Sequence, residues 1–343
     1  MRPLKPLAPF LLTLAASAPL AAKDELPATM QAAAIDHAGG PEALTVRTLP
    51  VPKPDANEVL IAVHTAGVAS WDVGVRQHPE QLKNAHFPLV LGTDGAGLIA
   101  AVGSGVHGFK VGEQVYSYSW DNPQGGFYAE FVAVPAERVS AVPHGLSLKD
   151  AGAIGTTALT ALQGVDDALH LKAGETVFIH GAAGGVGTLA VQFAKLRGAR
   201  VLASVSEPGE FEFVKGLGAD AVVDGRHGDV GAAVHAFAPT GLDAVLAFAG
   251  GDALEQAIDA LHAGGRVAYP NGVHPAPKPR PGLTLVGYDA VPAPAEYARL
   301  NTAIVAAKLR VPIAAQFPLT EARQAQERVV AGHLEGKVIL EVR

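Results

Sequence analysis

The stretch HGAAGGVGTLAVQFAK, residues 180–195, carries four glycines in its first eight positions and continues in an apolar-striped helical pattern. The preceding residues 176–180, TVFIH, have the composition of a buried strand. A strand, a glycine-rich turn and a helix in this order are typical of a dinucleotide-binding βαβ unit. A tight turn that holds no ligand is the alternative, and it stays open at this point.

Each position of the loop has its own expected role. Ala182 stands at the first position of the glycine pattern, and Gly184 and Gly187 hold the second and third positions. We expect Gly184 to let the backbone approach a pyrophosphate, and Gly187 to let the helix pack closely on its strand. The N–H groups at the start of the helix, together with the helix dipole, then create an anion site.

Strand and helix patterns alternate after this unit. The segments 200–206 and 242–250 predict further strands, and 252–265 predicts a helix. Alternation at this spacing predicts an α/β domain with a doubly wound parallel sheet. Ser147 and Asp150 have the spacing of a helix N-cap pair and mark the point where this pattern begins.

The residues from 31 to about 145 have a different pattern, with short strands separated by glycine or proline. EVLIAVHTAGV at 58–68 is an example. Because no long amphipathic helix interrupts these strands, the pattern predicts a compact β-barrel or sandwich. The chain ends in two predicted helices and a closing strand, KVILEVR, at 337–343.

Composition excludes several classes of function. The 343 residues are 49% hydrophobic and 17% charged, which predicts buried cores rather than disorder. The net charge is −7 and no Lys/Arg tract is present, so we expect no nucleic-acid partner. The absence of cysteine excludes disulfides, thiolate nucleophiles and Cys-based metal sites.

The amino terminus carries a separate pattern. Arg2 and Lys5 precede an apolar run at 7–22 that ends in small residues, as in a secretory signal. The run is too short for a transmembrane helix, so we expect no integral membrane segment. The alternative is a start at Met30. A signal at residues 1–22 implies a periplasmic or exported protein, whereas a start at Met30 implies a cytoplasmic one.

The end of the second predicted strand bears on the choice of dinucleotide. An acidic residue at this position binds the ribose 2′-hydroxyl of NAD. Ser206 is small and leaves room for a 2′-phosphate, although the adjacent Glu207 is able to turn back and act as the acid. We predict NADPH as the cofactor, with NADH as the alternative.

From about Met30 to Arg343 the chain resembles the zinc-free branch of the medium-chain dehydrogenase/reductases, the quinone oxidoreductases related to zeta-crystallin. The resemblance rests on motifs in the right order, among them PLVLGTDGAGLIAAVGSGV (88–106), GGFYAEFVAVPAERV (125–139), GAAGGVGTLAVQFAKLRGARV (181–201) and GHLEGKVILEV (332–342).

This resemblance implies a GroES-like β-barrel catalytic domain and a Rossmann NAD(P)-binding domain. The implied order is a leader at 1–29, the barrel at 30–150, the Rossmann domain at 151–291 and a C-terminal segment at 292–343 that completes the catalytic domain. It also implies a homodimer that reduces a quinone or conjugated enone with NADPH.

The resemblance also implies where the cofactor lies. In NADP-using relatives the residues matching Glu210 and Gly225 are commonly Lys and Tyr, which leaves Arg226 as the basic group for a 2′-phosphate. The implied contacts are Thr160 at the nicotinamide, Ala182, Ala183, Gly184, Gly185, Val186 and Gly187 at the pyrophosphate, Ser206 and Arg226 at the adenosine, Phe248, Ala249 and Gly250 at the ribose, and Gly336 and Lys337 at the far end.

Two departures from related enzymes affect the chemistry. Zinc-dependent relatives have cysteine at the position of Ala69 and a His-Glu pair at Thr93-Asp94, so we expect no catalytic zinc. Quinone reductases of this type usually have Asn at the Ala69 position and Tyr at the Gly74 position. Their substrate pocket is therefore only partly reproduced in this chain.

Without a metal, hydrogen-bond donors or cofactor hydroxyls must stabilise the negative charge that hydride transfer places on the substrate oxygen. Trp71 and Tyr128 also have an interpretation as packing aromatics, and Arg76 as a surface or ion-paired residue. We expect Asp72 to order its loop rather than to act as a base. The residues predicted to act at the catalytic end are Trp71, Arg76, Tyr118, Tyr128 and Thr160.

The sequence therefore predicts an NADPH-dependent, zinc-independent oxidoreductase that reduces a quinone or a conjugated enone. A dinucleotide-binding scaffold protein without turnover and a zinc-free alcohol or aldehyde dehydrogenase are the alternatives.

Overall fold

A computed structural model describes residues 26–83, 85–122 and 124–343. The signal-like pattern at residues 1–22 lies outside these described residues. The first strand begins at Thr29, beside the alternative start at Met30. Within the described ranges, no helix combines the length and the hydropathy needed to cross a membrane.

The first third of the described chain folds as short strands around one apolar core, as its pattern predicts. The strand predicted at 58–68 has the same bounds in the structure. The elements are β1 (Thr29–Ile35), β2 (Thr45–Pro50), β3 (Glu58–Val68), α1 (Ser70–Gln77), β4 (Leu89–Val90), β5 (Asp94–Val102), β6 (Gln114–Tyr118), β7 (Phe131–Pro135) and β8 (Val139–Ala141).

The following residues form the α/β domain. Ser147 Oγ accepts a hydrogen bond from Asp150 N at 3.1 Å and caps the first helix, as predicted. The elements are α2 (Leu148–Gly152), α3 (Gly155–Gln163), β9 (Thr176–His180), α4 (Gly187–Leu196), β10 (Arg200–Val205), α5 (Phe211–Gly216), β11 (Ala221–Asp224), α6 (Val230–Phe237), β12 (Leu242–Ala247), α7 (Asp252–Asp259), β13 (Leu261–Pro270) and β14 (Thr284–Tyr288).

The six strands of this domain form one parallel sheet in the order β11-β10-β9-β12-β13-β14. The first strand of the series, β9, lies in the middle, and the chain winds outward from it in both directions. Separate apolar clusters cover the two faces of the sheet. This is the doubly wound order of a Rossmann domain, and it confirms the predicted fold class.

The end of the chain returns to the barrel. Its elements are α8 (Pro294–Ala307), β15 (Ile313–Pro318), α9 (Ala322–Val330) and β16 (Lys337–Glu341). β16 pairs antiparallel with β3 and parallel with β15, so the last strands extend the larger barrel sheet. The loop between α9 and β16 therefore approaches the α/β domain from the barrel side.

One predicted element is shorter than expected. The helix predicted at 252–265 ends at Asp259, and β13 begins at Leu261. Leu261 pairs with Leu242 of β12, and Gly264 adopts φ +83°, which a helix does not accommodate. Strand pairing therefore takes over residues that helical periodicity alone assigned to the helix.

Asp72 links α1 to the barrel interior. Its side chain is 1% exposed, and its Oδ2 accepts hydrogen bonds from Ala69 N at 2.8 Å and from the Tyr128 hydroxyl at 3.0 Å. It orders the start of α1, as expected from the sequence. Burial is the largest influence on the Asp72 carboxyl and raises its pKa from 3.8 to about 7. The nearby Asp94 carboxylate also raises this pKa, whereas the Lys337 ammonium lowers it.

The raised pKa of Asp72 predicts a pH-dependent stability. Between about pH 4 and pH 7 the folded protein holds a proton on Asp72 that the unfolded chain has released, so stability falls as pH rises through this range. The loss attributable to one such group is at most about 1.4 kcal/mol per pH unit. We expect Asp72→Asn to remove this contribution, because an amide oxygen still accepts from Ala69 and Tyr128 and no group titrates.

Denaturant unfolding of both proteins between pH 5 and pH 8 measures this contribution. The difference in unfolding free energy between Asp72→Asn and the parent should grow with pH in favour of the variant. A difference in unfolding free energy that stays constant across this pH range would show that Asp72 is ionised in the folded protein.

Candidate functional site

A cleft of about 800 Å³ lies between the barrel and the α/β domain. On the α/β side it is lined by residues that follow the carboxyl ends of β9, β10 and β12. The chain leaves β9 in one direction toward β10 and later returns to its other side as β12. Ligands of open α/β sheets bind at such a switch point.

The glycine loop forms the floor of this cleft. Ala183 and the four residues Gly184–Gly187 line it, whereas the predicted contact Ala182 is fully buried beneath the loop. A β-carbon at Gly187 would collide with the Gly181 carbonyl and lie 2.7 Å from the Ala182 Cα atom. Close contact between helix and strand therefore requires glycine at position 187, as predicted.

Gly184 is different, because a β-carbon there would have no protein atom nearer than the Gly181 carbonyl oxygen at 3.6 Å. The protein alone leaves room for a side chain at position 184. The absence of one keeps the floor of the cleft open to a ligand. Packing within the protein therefore requires glycine at position 187 but not at position 184.

Lys337 reaches into the same part of the cleft from β16. Lys337 is 4% exposed, and its Nζ has no hydrogen-bond partner among the described residues. The nearest opposite charge is Asp94 Oδ1, at 3.9 Å. Nζ also lies 4.8 Å from the centre of the Trp71 ring. A β-carbon on Gly185 would contact Lys337 Cδ at 3.4 Å, so the stem of this side chain lies beside the glycine loop and its charged end lies near Asp94 and Trp71.

The unsatisfied charge and the open glycine floor provide a test of fit for a dinucleotide. A buried cationic group without hydrogen bonds is costly unless a ligand supplies acceptors. The acceptor oxygens of a dinucleotide supply them, and the first-turn amides of α4 are a source of donors for its diphosphate. Gly336 N donates to Ala183 O at 2.8 Å, which fixes the Lys337 backbone against the loop. The residues present therefore fit the diphosphate of a dinucleotide.

His180 is a cleft residue that the sequence analysis did not single out. It ends β9, and its Nδ1 lies 2.6 Å from Ser204 Oγ of β10. Burial lowers the pKa of His180, so the imidazole is neutral at neutral pH. Its carbonyl accepts from Phe248 N at 3.0 Å, which links it to the predicted contacts Phe248, Ala249 and Gly250. The sequence feature that could have indicated His180 is its position as a polar residue at the end of a buried strand.

The predicted adenosine contacts Ser206 and Arg226 lie together at one end of the cleft. Glu210, which is buried, accepts from Ser206 N at 2.9 Å and from Glu207 N at 3.2 Å. His333, from the loop between α9 and β16, completes this end. Sequence reasoning missed His333, because it comes from a distant part of the chain.

At the opposite end, Trp71 is the predicted catalytic residue that lines the cleft. Its Nε1–H donates to Thr93 Oγ1 at 2.8 Å. Thr157 lines this end in place of Thr160. The Thr160 hydroxyl instead donates to the Thr156 carbonyl at 2.8 Å, inside α3. Thr157 lies nearly one helical turn before Thr160, so the prediction selected the right helix but a residue beyond the cleft wall.

The structure does not bring the other three catalytic candidates to the cleft. Arg76 is 2% exposed and donates to Gln326 of α9 at 2.9 Å, so it is neither a substrate contact nor a surface residue. Tyr128 is fully buried, and its hydroxyl donates to Asp72 Oδ2 at 3.0 Å. Tyr118 is buried between the barrel and α8, where its backbone N donates to the Tyr297 hydroxyl at 2.9 Å.

The positions that hold zinc in zinc-dependent relatives do not fit a metal ion in this chain. Ala69 has no donor atom, and Thr93 Oγ1 already accepts from Trp71. Asp94 Oδ2 accepts from Thr156 N at 2.9 Å, and its other oxygen faces the Lys337 charge. Three Asp, Glu or His side chains do not meet in a metal-binding group anywhere in the described ranges.

Two protein-family models match the chain. The "Alcohol dehydrogenase GroES-like domain" matches residues 55–144, and the "Zinc-binding dehydrogenase" domain matches residues 185–281. The first range lies within the barrel and the second within the parallel-sheet domain.

Individual proteins match over nearly the whole chain. A quinone oxidoreductase of Sus scrofa is 31% identical over 324 residues, which cover 91% of this chain and 97% of that protein. The solved structure of the quinone oxidoreductase from Coxiella burnetii is 30% identical, with a TM-score of 0.81 over 92% of this chain and 100% of that one. A mycobacterial structure complexed with NADPH is 28% identical, with a TM-score of 0.80 over 91% of this chain and 100% of that one.

Sequence similarity and fold agree across both domains and the returning C-terminal strands. The chain belongs to the medium-chain dehydrogenase/reductase family of NAD(P)H oxidoreductases, together with the quinone oxidoreductases that it resembles.

Proposed function

We propose that this protein is a zinc-independent reductase that transfers hydride from NADPH, or from NADH as the alternative, to a quinone or a conjugated enone. The observation that carries the proposal is the open glycine floor, at the switch point of the parallel sheet, in the same cleft as the buried ammonium of Lys337, which has no hydrogen-bond partner among the described residues. The bound dinucleotide would supply the hydride.

The chain's own part in the reaction is binding and orientation. The amides of the glycine loop hold the diphosphate, and the residues at Phe248–Gly250 hold the neighbouring ribose. The Trp71 ring covers Lys337 from the barrel side and shields it from water. A nicotinamide ring anchored through its diphosphate and ribose would reach the far end of the cleft in a defined orientation, which is a large part of catalysis of hydride transfer. Water would supply the proton that the substrate anion takes up afterwards.

The hydrogen-bonding groups at the far end favour a delocalised substrate. Trp71 has already donated its N–H to Thr93, and the Thr157 hydroxyl donates to Ala153 O at 3.0 Å. Neither of these groups is therefore free, and the Lys337 ammonium beside Trp71 is the charged donor that remains at this end among the described residues. A quinone or enone spreads the developing charge over several atoms and needs less stabilisation than a simple ketone. The names of the relatives support the same substrate class.

We also propose the domain boundaries at residues 150/151 and 291/292, and a homodimer. β14 is the last strand of the parallel sheet and pairs on one side with β13. Its other side is a sheet edge of the kind that pairs with a second copy.

A substitution at Gly184 tests the dinucleotide site. We expect Gly184→Val to reduce NADPH and NADH affinity at least about 100-fold, because its methyl groups occupy the place of the diphosphate, and a misplaced diphosphate loses several charge-assisted hydrogen bonds. Titration calorimetry on the parent, on Gly184→Ala and on Gly184→Val measures the loss, which should increase with side-chain size.

Gly187→Ala is the matched control for this experiment. Its β-carbon collides with the strand itself, so we expect it to lower the free energy of unfolding, whereas Gly184→Val keeps the parent's unfolding midpoint. Unchanged affinity in the folded Gly184→Val protein would exclude the loop as the diphosphate site.

Turnover on a panel of small quinones, conjugated enones, simple ketones and alcohols tests the reaction class. We expect oxidation of NADPH or NADH with quinones or enones, and the same rate with added zinc or with a chelator. Dinucleotide binding without any turnover would favour the scaffold alternative. Loss of activity with the chelator, restored by zinc, would contradict the metal-free mechanism.

A further inference from the structure

We propose that Lys337 is a catalytic residue, whose ammonium donates a hydrogen bond to the substrate oxygen that becomes negatively charged on hydride transfer. The inference rests on the proposed function and deepens it, because it names the group of this chain that acts on the substrate in a zinc-independent reaction.

The side chain of Lys337 runs from the glycine loop to the catalytic end of the cleft. A β-carbon on Gly185 would contact its Cδ at 3.4 Å, and a β-carbon on Gly67 of β3 would lie only 2.8 Å from its Cε. Glycine at position 67 therefore leaves the space through which the stem passes. Beyond it, Nζ lies 3.9 Å from Asp94 Oδ1 and 4.8 Å from the centre of the Trp71 ring. The charge is thus placed at the catalytic end, while the stem borders the loop.

No hydrogen bond within the part of the chain that the structure describes holds this ammonium in its position. Nζ of Lys337 and Oδ1 of Asp94 are both buried without a hydrogen-bond partner there, and the 3.9 Å between them is longer than a hydrogen bond. The other oxygen of Asp94 accepts from Thr156 N at 2.9 Å. Rotation about the last bonds of the flexible lysine stem therefore breaks no hydrogen bond, and it lets Nζ move from behind the Trp71 ring to an oxygen in the cleft.

The other donors at this end are less suited to an anion. The Trp71 N–H and the Thr157 hydroxyl are both donated to other protein atoms. Ser70 also lines the cleft, but its hydroxyl is neutral, and a neutral donor binds an anion more weakly than an ammonium does. The negative charge of the reduced substrate is therefore best met by Lys337.

Hydride transfer adds one electron pair to the substrate and oxidises the dinucleotide by the same two electrons. On an enone a C–H bond forms at the β-carbon, the C=C electron pair shifts toward the carbonyl, and the oxygen becomes an enolate. On a quinone the product is a hydroquinone monoanion. Water then supplies the proton, so Lys337 remains an ammonium throughout. Its hydrogen bond is stronger to the anion than to the neutral carbonyl, and it therefore lowers the barrier rather than only strengthening binding.

Lys337→Met tests this role, because it removes the charge and keeps a stem of similar size. Lys215→Met is the matched control, since Lys215 is an exposed residue of α5 that pairs with Glu212 at 3.0 Å, away from the cleft. At saturating NADPH we expect kcat of Lys337→Met to fall about 10- to 100-fold with a smaller change in KM. The loss should be larger for an open-chain enone than for a quinone, because the enolate is the more basic anion. Lys215→Met should keep both parent values.

Binding of 4-nitrophenol to the protein saturated with NADP⁺ gives a measurement without turnover. Its phenolate resembles the anion formed by hydride transfer, and its absorbance distinguishes phenolate from phenol. We expect the parent and Lys215→Met to favour the bound phenolate at least about tenfold more than Lys337→Met does. The midpoint of the bound probe's pH titration should therefore lie about one pH unit or more higher in Lys337→Met.

The double variant Asp94→Asn/Lys337→Met keeps the test valid if the single variant fails to fold. Lys337→Met leaves the Asp94 carboxylate buried without its counter-charge, which destabilises a fold. The double variant removes both charges, and the new amide oxygen is still able to accept from Thr156 N. We expect it to show the same loss of phenolate preference.

The inference and the proposed function fail in different ways. A phenolate preference that survives in both variants would overturn the inference. So would a weaker NADPH affinity with unchanged kcat at saturating NADPH, because Lys337 would then hold the dinucleotide rather than the substrate. If the parent binds neither dinucleotide, or binds them and reduces no quinone or enone, the proposed function is wrong.

Discussion

The contact between the start of α4 and the end of β9 is the constraint on which the rest of the structure depends. Gly187 lies so close to Gly181 and Ala182 that no side chain fits between them. This close crossing directs the first turn of α4 at the switch point of the sheet, where its amides border the cleft. A looser crossing would move the helix dipole and the loop away from the site together, because one short segment carries both.

The second requirement is the return of the chain to the barrel. β16 pairs with β3 inside the barrel sheet, and the residue before it, Gly336, donates to the glycine loop of the other domain. The same few residues thus belong to the barrel sheet and border the cleft. Lys337 and His333 are close to this junction in sequence, so both line the cleft. The cleft is consequently a property of both domains, and neither domain forms it alone.

Charge is distributed unevenly along the cleft. Lys337 is a buried cation whose Nζ lies 3.9 Å from Asp94 Oδ1 and 4.8 Å from the centre of the Trp71 ring. The end predicted to hold the adenosine is lined by Arg226 and by the buried carboxylate Glu210. The catalytic end is lined by small residues and one indole whose N–H is already used. Charged side chains therefore lie at both ends of the cleft, with the Lys337 ammonium near Trp71 and Asp94 and with Arg226 and Glu210 at the other end.

The sequence by itself determined the fold class, the strand–loop–helix unit and the packing reason for glycine at 187, because these depend on local periodicity and on backbone space. Only the tertiary structure decided which side chains reach the cleft. Arg76, Tyr118 and Tyr128 have the chemistry of catalytic donors but are buried in contacts with α9, α8 and α1. His180, Thr157 and His333 carry no motif, yet they line the site. A side chain's direction depends on packing between elements distant in sequence, and residue type alone contains no information about it.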